Sequence, residues 1–285
     1  MLRISHEEFA RSADYELTTR ERRGARRLID ARVRTRRPLA YLIHEAWLSD
    51  YRFYVDERVV VPRSFIAELL REGLRPWVSR PVRRALDLCT GSGCLAILLA
   101  LTFPGATVDA TDISSAALAV ARRNVKAYRL RRRVRLAQAD LFSGLERRQY
   151  DLIVSNPPYV SAAAMRRLPP EYRREPRMSL AGGADGLAFV RRILSGAAEH
   201  LRPGGLLVVE VGHNRRGVER AFPRVPFIWA ETSAGDDCVF LVYRDAHYNT
   251  RQRTIPVPPS SGTTTSGRTS TCANFSPVSR RRANC

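Results

Sequence analysis

The sequence of 285 residues almost lacks lysine, because Lys126 is the single lysine among 48 basic residues. Acidic residues are also few, 28 in number, and the formal net charge at pH 7 is therefore +20. A positive field of this size favours polyanionic partners such as RNA. The alternative interpretation is a solvated basic surface that has no specific site for nucleic acid.

Cysteine is scarce and poorly spaced for a scaffold. The five cysteines are odd in number and form no Cys-x-x-Cys pair. Neither a disulfide framework nor a metal site is indicated by this pattern. We therefore expect no metal and a reducing, cytoplasmic compartment. The five are Cys89, Cys94, Cys238, Cys272 and Cys285.

Long apolar runs are missing as well. The longest, residues 94–101, is too short to cross a bilayer, and the amino terminus lacks the apolar core of a signal peptide. We expect no membrane contact. Residues 245–285 are rich in Ser, Thr, Pro and Gly but almost lack aliphatic side chains, which predicts a disordered tail.

The remaining chain divides by its hydrophobic pattern into three parts. Residues 1–42 predict a basic helical segment, and residues 43–80 predict a β-hairpin around Asp56-Glu57 followed by a linker helix. In residues 81–244, strands alternate with helices, which predicts a parallel sheet covered on both faces. The strands expected there are 85–88, 107–111, 134–138, 150–155, 205–211 and an antiparallel pair, 227–231 and 238–243.

The tetrapeptide Asn156-Pro157-Pro158-Tyr159 follows an apolar run, residues 152–154, that predicts a buried strand. Proline cannot extend the ladder, and the residue before a proline is held extended. We expect the Asn156 amide to point off the carboxyl edge of the sheet, where ligands bind. An Asn-Pro pair is also typical of a simple turn, so the tetrapeptide alone leaves both interpretations open.

Three acidic side chains are predicted at the ends of three successive strands: Asp87, Asp112 and Asp140. Asp112 is suited to bind ribose hydroxyls, and Asp140 to accept a hydrogen bond from an adenine amino group. This arrangement predicts a cofactor that contains adenosine. The alternative is that Asp112 and Asp140 only cap a helix and a turn.

The loop after Asp87 carries glycines that let the backbone approach a ligand closely. Its G-x-G-x-x-A pattern is a weak dinucleotide signal on its own. A carboxylate before the glycines favours S-adenosylmethionine over NAD, since it can hold the network around the methionyl ammonium group. Cys89 has no histidine near it in sequence and is interpreted as a packing residue. The predicted cofactor set is Asp87, Thr90, Gly91, Gly93, Asp112, Asp140 and Asn156.

With the glycine loop and the tetrapeptide both in place, the chain resembles the class I methyltransferases and, more narrowly, the protein-glutamine methyltransferases. Several stretches resemble the branch that modifies large-subunit ribosomal protein L-three: 44–47, 53–59, 61–64, 87–94, 175–176, 180–183 and 185–187. The sister branch, which acts on peptide-release factors, usually has glycine at the position of Cys89 and is the alternative. The resemblance implies an α/β, Rossmann-like fold with a seven-stranded, mostly parallel sheet. It also implies S-adenosylmethionine as cofactor and a substrate-docking role for residues 1–42.

The resemblance implies a glutamine side-chain amide as methyl acceptor, in a ribosomal protein that is free or in a pre-ribosomal particle. The Asn156 side-chain oxygen and the Pro157 carbonyl can each accept one N–H of that amide, while Tyr159 packs against its plane. Catalysis is then mainly positioning, with dipoles aimed at developing charge. Pro158 and Glu175 complete the expected substrate contacts, and the segment 161–185 is expected to act as a lid.

Methylation of nucleic acid is the rival hypothesis. Asn-Pro-Pro-Tyr also serves exocyclic amines of bases, where a tyrosine stacks on a flipped base. The charge of +20 favours this function and also a contact with ribosomal RNA. Against base methylation, no separate base-reading domain is visible, and the block 175–187 resembles the protein-modifying branch.

Overall fold

The computed structural model describes residues 16–146 and 148–245. The predictions for residues 1–15 and for the tail from residue 246 onward lie outside the described residues. Helix α1 (Thr19–Thr35) begins at a capping box, in which the Glu21 N–H donates to Thr18 Oγ1 and the Thr18 N–H donates to the Glu21 carboxylate. A short helix, α2 (Leu39–Ile43), follows it.

A small antiparallel hairpin follows, but its turn was predicted at the wrong place. Strands β1 (Ala46–Leu48) and β2 (Tyr51–Phe53) pair around Ser49 and Asp50, not around Asp56-Glu57. Residues 58–62 form no strand, because Asp56 folds back and binds the Arg58 backbone and guanidinium. Tyr41 also donates to the Val59 carbonyl, which would otherwise be free for a ladder.

The predicted seven-stranded, mostly parallel sheet is confirmed. Its strands are β3 (Arg84–Leu88), β4 (Thr107–Asp112), β5 (Val134–Gln138), β6 (Tyr150–Ser155), β7 (Leu201–Glu210), β8 (Ile228–Thr232) and β9 (Gly235–Tyr243). Their order in the sheet is β5-β4-β3-β6-β7-β9-β8, and β9 runs antiparallel to both of its neighbours. The other neighbouring strands pair in parallel.

Helices cover both faces of this sheet, because its central strands are apolar on both sides. The helices after α2 are α3 (Ile66–Arg71), α4 (Cys94–Thr102), α5 (Ser115–Ala127), α6 (Ala162–Arg167), α7 (Ala188–His200) and α8 (Arg215–Ala221). Leu152 and Val154 face one core cluster together with residues of α3 and α4, and Ile153 faces a second cluster with residues of α7 and α8. None of the helices in the described ranges combines the length and apolarity that a membrane span needs.

Candidate active site

The strand register brings the predicted site residues to one edge of the sheet. Leu88 of β3 pairs with Thr111 of β4 on one side and with Ser155 of β6 on the other. The residues that follow these strand ends, including Asp112 and Asn156, therefore meet at the carboxyl edge. In open parallel sheets this edge is where ligands bind.

The glycine loop packs tightly against α5 at Gly93 and is open at Gly91. A Cβ at Gly93, where φ is +79°, would lie 3.1 Å from the Cβ of Ala121 in α5. A Cβ at Gly91, where φ is +53°, would meet no heavy atom within 4 Å. Gly93 therefore permits close packing of helix on loop, while Gly91 leaves its backbone accessible to a ligand.

The environment of the Asp87 carboxylate is suited to binding a cation. Its side chain is buried, Thr90 Oγ1 donates to its Oδ2, and its Oδ1 accepts no hydrogen bond of normal geometry from the described residues. Burial raises the pKa of Asp87 to about 7, although the Thr90 hydrogen bond acts in the opposite direction. A buried carboxylate oxygen without a partner is costly. This residue therefore fits the network around the ammonium group of S-adenosylmethionine.

Asp112 braces the glycine loop from the neighbouring strand. Its Oδ2 accepts the Gly91 N–H at 2.9 Å, and its Oδ1 accepts the Ser114 N–H at 2.9 Å. Burial raises its pKa, against the effect of these two bonds. A carboxylate offers about four acceptor sites, so both oxygens keep capacity for hydroxyl donors. Capping and ribose binding are thus compatible at this residue.

Asp140 forms an ion pair with an arginine of α7. Its Oδ2 accepts a hydrogen bond from Arg192 Nη2 of α7 at 2.8 Å, and 43% of its side chain is exposed. Backbone also links this loop to its neighbour, because the Ala139 N–H donates to the Asp112 carbonyl. The two predicted adenosine contacts therefore lie on directly connected loops.

The tetrapeptide has two buried prolines between two partly exposed polar residues. Within the described chain, the Asn156 side chain has no hydrogen-bond partner, so its oxygen and nitrogen are available. Tyr159 is enclosed by glycines: a Cβ at Gly182 would lie 2.7 Å from its Cα, and a Cβ at Gly212 would lie 2.8 Å from its ring. The surrounding backbone thus fixes the tyrosine beside the asparagine.

Glu210 is a site residue that the sequence analysis missed. It is fully buried at the end of β7, accepts hydrogen bonds from Ser64 Oγ (2.7 Å) and the Phe65 N–H (2.9 Å), and lies 3.4 Å from the Tyr159 hydroxyl. Burial raises its pKa to about 7. The signal in the sequence is a lone acid within the apolar run 206–211.

Glu175 is engaged inside the protein. Arg63 binds both of its oxygens at 2.9 Å, the Val61 N–H also donates to it, and only 3% of its side chain is exposed. A direct contact with substrate is not indicated by this arrangement. Glu175 instead ties the 161–185 segment to the linker that precedes α3.

The 161–185 segment lies against the tetrapeptide. It contains α6 and two short 3₁₀ helices, Tyr172–Arg174 and Arg177–Ser179. Its returning end runs parallel to Val160, which donates to the Leu180 carbonyl (2.9 Å) and accepts the Gly182 N–H (2.8 Å). The segment is therefore joined by backbone hydrogen bonds to the residue that follows Tyr159.

Cys89 adopts a backbone conformation that usually belongs to glycine, with φ at +59°. This gives a physical reason why a related branch can carry glycine at the same position. Burial raises the pKa of the Cys89 thiol and raises that of Cys94 to about 12. Thiols that stay protonated are poor nucleophiles, in agreement with the packing interpretation.

One cluster in the described chain could supply metal ligands. His213 Nδ1 lies 3.0 Å from Asp237 Oδ1 and 3.5 Å from Cys238 Sγ. The Cys238 thiol also donates to Asp237, so these groups satisfy one another by hydrogen bonds. The cluster therefore needs no ion to explain it.

The central part of the chain matches the model of a known domain family. Residues 67–168 match the model of the "Methyltransferase small domain" family. This match covers most of the linker helix α3, the glycine loop, the three predicted acids and the tetrapeptide.

Named relatives match over most of the chain. The ribosomal protein uL3 glutamine methyltransferase of Bordetella pertussis is 55% identical over 81% of this chain and 78% of its own length. The protein of the same name from Neisseria meningitidis serogroup A is 53% identical over 81% and 77%. That from Bradyrhizobium diazoefficiens is 48% identical over 85% and 78%.

Solved structures agree on the fold. A methyltransferase from Pyrococcus furiosus superposes with a TM-score of 0.50 at 20% identity, over 67% of this chain and 88% of that one. The hMettl16 catalytic domain, solved with an RNA hairpin, gives a TM-score of 0.52 at 16% identity, over 75% and 91%. At these identities the likeness concerns the fold alone.

Proposed function

The chain belongs to the ribosomal protein uL3 glutamine methyltransferases, and from that premise we propose that it methylates a glutamine side-chain amide in large-subunit ribosomal protein uL3. The methyl donor is S-adenosylmethionine. The observation that carries the proposal is the identity of 55% to a named relative over 81% of the chain. The placement of Asn156 beside the glycine loop supports it.

The cofactor, when bound, supplies an electrophilic methyl group on a sulfonium. In this proposal Asp87 and Thr90 hold the network around its ammonium group, and the backbone at Gly91 and Gly93 lies along it. Asp112 binds the ribose, and Asp140 accepts from the adenine amino group. The unpartnered Asp87 Oδ1 and the open space beside Gly91 support this assignment.

The tetrapeptide positions the acceptor. An amide nitrogen is a poor nucleophile because its lone pair is delocalised, so orientation toward the methyl group is the main requirement. The Asn156 oxygen and the Pro157 carbonyl accept the two N–H groups, while Tyr159 excludes water above buried Pro158. With the cofactor bound, the N–C bond would form as the bond between sulfur and the methyl group breaks, which would leave a neutral thioether. No base has to act first, because the alkylated amide is acidic and would release its proton to solvent. Glu175 and Glu210 act indirectly, by holding Arg63 and Tyr159.

The division of labour along the chain follows from these roles. We assign catalysis to residues 81–244, substrate docking to residues 1–42, and the connection between them to the hairpin and linker of residues 43–80. Arg63 supports this division, since it joins the linker to the segment beside the tetrapeptide. A ribosomal substrate also implies a cytoplasmic location.

A transfer assay tests the proposal. The protein is incubated with methyl-labelled S-adenosylmethionine and either free uL3 or ribosomes from cells that lack this activity. Protein is then separated from RNA, and labelled uL3 is digested for mass spectrometry. We expect the label on a glutamine of uL3. Label on RNA bases, which the charge of +20 favours, or on a release factor alone, would contradict the proposal.

A further inference from the structure

Helix α1 presents an unusually basic outer face. The half-buried residues of α1 all lie on one side of the helix, and no residue of the helix is fully buried. The opposite side carries a single acid, Asp30, and two exposed aliphatic side chains, Ile29 at 61% and Val33 at 67%. The exposed arginines on this side are Arg20, Arg22, Arg23, Arg26, Arg27 and Arg34.

This charge opposes the stability of the helix itself. Arg20 and Arg22 lie in the first turn, where the helix dipole disfavours cations. Arg22 with Arg26, and Arg23 with Arg27, form like-charged pairs four residues apart, which also destabilise a helix. The arrangement has an electrostatic cost that a bound polyanion would remove.

The basic face continues onto the segment beside the tetrapeptide. Glu171 binds Arg32 and Arg36 on the flank of α1, which places α1 next to α6 and the 3₁₀ helices. That segment exposes five further arginines: Arg166, Arg167, Arg173, Arg174 and Arg177. We call the eleven exposed arginines of α1 and this segment the arginine surface.

Asp30 is the single acid on the α1 part of this surface, and the described chain forms no ion pair with its arginines. None of its eleven arginines forms an ion pair with a described residue. The remaining sequence offers little counter-charge, because residues 246–285 contain six arginines and no acid, and residues 1–15 contain two arginines and three acids. Beyond the one charge of Asp30, compensation therefore comes from a partner or from solvent ions.

We propose that the arginine surface binds the phosphate backbone of ribosomal RNA and so presents uL3 to the site within a particle that already contains RNA. This inference rests on the proposed function and names its second partner. The 17-residue helix is about 25 Å long, enough to follow several successive phosphates. Planar guanidinium groups suit phosphate geometry. Because Glu171 fixes α1 beside the tetrapeptide's segment, RNA docked here lies next to the catalytic edge.

Other partners fit the surface less well. A membrane-surface helix needs a broad apolar face with aromatic anchors, whereas α1 has neither Trp nor Phe. An acidic protein would supply negative charge, but its carboxylates would be less densely spaced than the eleven arginines require. RNA carries one phosphate per nucleotide and meets that density.

The test compares two variants that each lose four positive charges. One replaces Arg22, Arg23, Arg26 and Arg27 by Gln. The control replaces four exposed arginines outside the surface, Arg122, Arg131, Arg132 and Arg135, by Gln. Protein-free large-subunit ribosomal RNA is the probe, titrated by filter binding between 50 and 200 mM KCl. Thermal midpoints confirm that both variants fold.

We expect the α1 variant to bind this RNA at least tenfold more weakly than the parent at 100 mM KCl, and to show a salt slope smaller by about 3, since each lost phosphate contact removes about 0.7–0.9. The control should change affinity less than threefold. Methylation of undermethylated particles should fall in the α1 variant and should change less than twofold in the control.

Equal losses in the two variants would overturn the inference, because they would show that net charge alone governs binding. Competition by polyglutamate as effective as that by RNA would also overturn it, in favour of an acidic protein partner. The binding assay needs no turnover. A failure of the proposed function would appear as unlabelled uL3 with the parent protein, while RNA binding by the arginine surface would be measured independently.

Discussion

The cofactor side and the substrate side of the sheet edge are built from contacts of different range. On the cofactor side, Thr90 binds Asp87 three residues away, and Asp112 reaches Gly91 in the adjacent loop, 21 residues away. On the substrate side, Arg63 binds Glu175 across 112 residues, and Ser64 binds Glu210 across 146. The first half is therefore shaped by strand ends, and the second by the linker folding back over them.

This difference in contact range separates cofactor binding from the assembly of the substrate side. The cofactor loop depends on short connections that form once β3 and β4 pair. The substrate side is complete only when the linker, the 161–185 segment and β7 have come together. Damage to the long-range contacts should thus affect stability and substrate geometry, while cofactor affinity is retained.

The largest expected effect comes from breaking the Arg63–Glu175 ion pair. Arg63→Met leaves the buried Glu175 carboxylate without its ion-pair partner and with only the Val61 N–H as a donor in the described chain. Removing one partner of a buried pair costs about 3–5 kcal/mol, and the lower end applies because 38% of the Arg63 side chain is exposed. Urea denaturation measures the loss of unfolding free energy. The affinity of the surviving folded protein for S-adenosylmethionine should stay within threefold.

Arg191→Met is the matched control, because Arg191 pairs with Asp185 where both side chains are half-exposed. Such surface pairs contribute about 0–1 kcal/mol. Similar losses in the two variants would remove the distinction between the buried long-range contact and an exposed local one.

Asp112→Ala should give the next largest effect, and this effect should be on cofactor affinity and not on the free energy of unfolding. It removes a carboxylate that we assign to two ribose hydroxyls, with charge-assisted hydrogen bonds of about 1.5–3 kcal/mol each. The affinity for S-adenosylmethionine should fall at least tenfold in calorimetric titration. Asp109→Ala, on the same strand but bound to Arg148 and Tyr150, is the control and should leave the affinity nearly unchanged. An unchanged affinity in Asp112→Ala would remove this residue from the cofactor site.

A smaller effect is expected in the pH dependence of stability. The pKa of Glu210 is raised from 4.5 to about 7 by burial, so the folded state holds a proton that the unfolded state releases. Stability from this group is therefore fully present below about pH 4.5 and is lost as the pH rises to 7, with a slope of at most about 1.4 kcal/mol per pH unit.

Glu210→Gln should abolish this part of the slope, which denaturation at several pH values between 5 and 8 measures. Asp87 titrates in the same window, so Asp87→Asn is the companion variant that separates the two contributions. If the parent and Glu210→Gln have parallel stability profiles, Glu210 is ionised in the folded protein and its assigned pKa is wrong.

The same difference in range decides what the sequence could predict. The sheet, the glycine loop, the acids at strand ends and the tetrapeptide follow from patterns a few residues long. The burial of Glu175 and the partners of Glu210 depend on Arg63 and Ser64, which lie more than a hundred residues away. Such pairings leave no local pattern. The hairpin turn was misplaced for a related reason, since the side chain of Asp56 captured Arg58 and prevented a strand there.

The most direct test of the account is Asn156→Ala, measured for turnover and for cofactor affinity together. Loss of one preorganised dipole at the reacting group costs about 100- to 1000-fold in turnover. We expect that loss on uL3, with the affinity for S-adenosylmethionine within a few-fold of the parent and an unchanged thermal midpoint. Turnover within a few-fold of the parent, in a folded protein, would show that the tetrapeptide is only a turn at the end of β6.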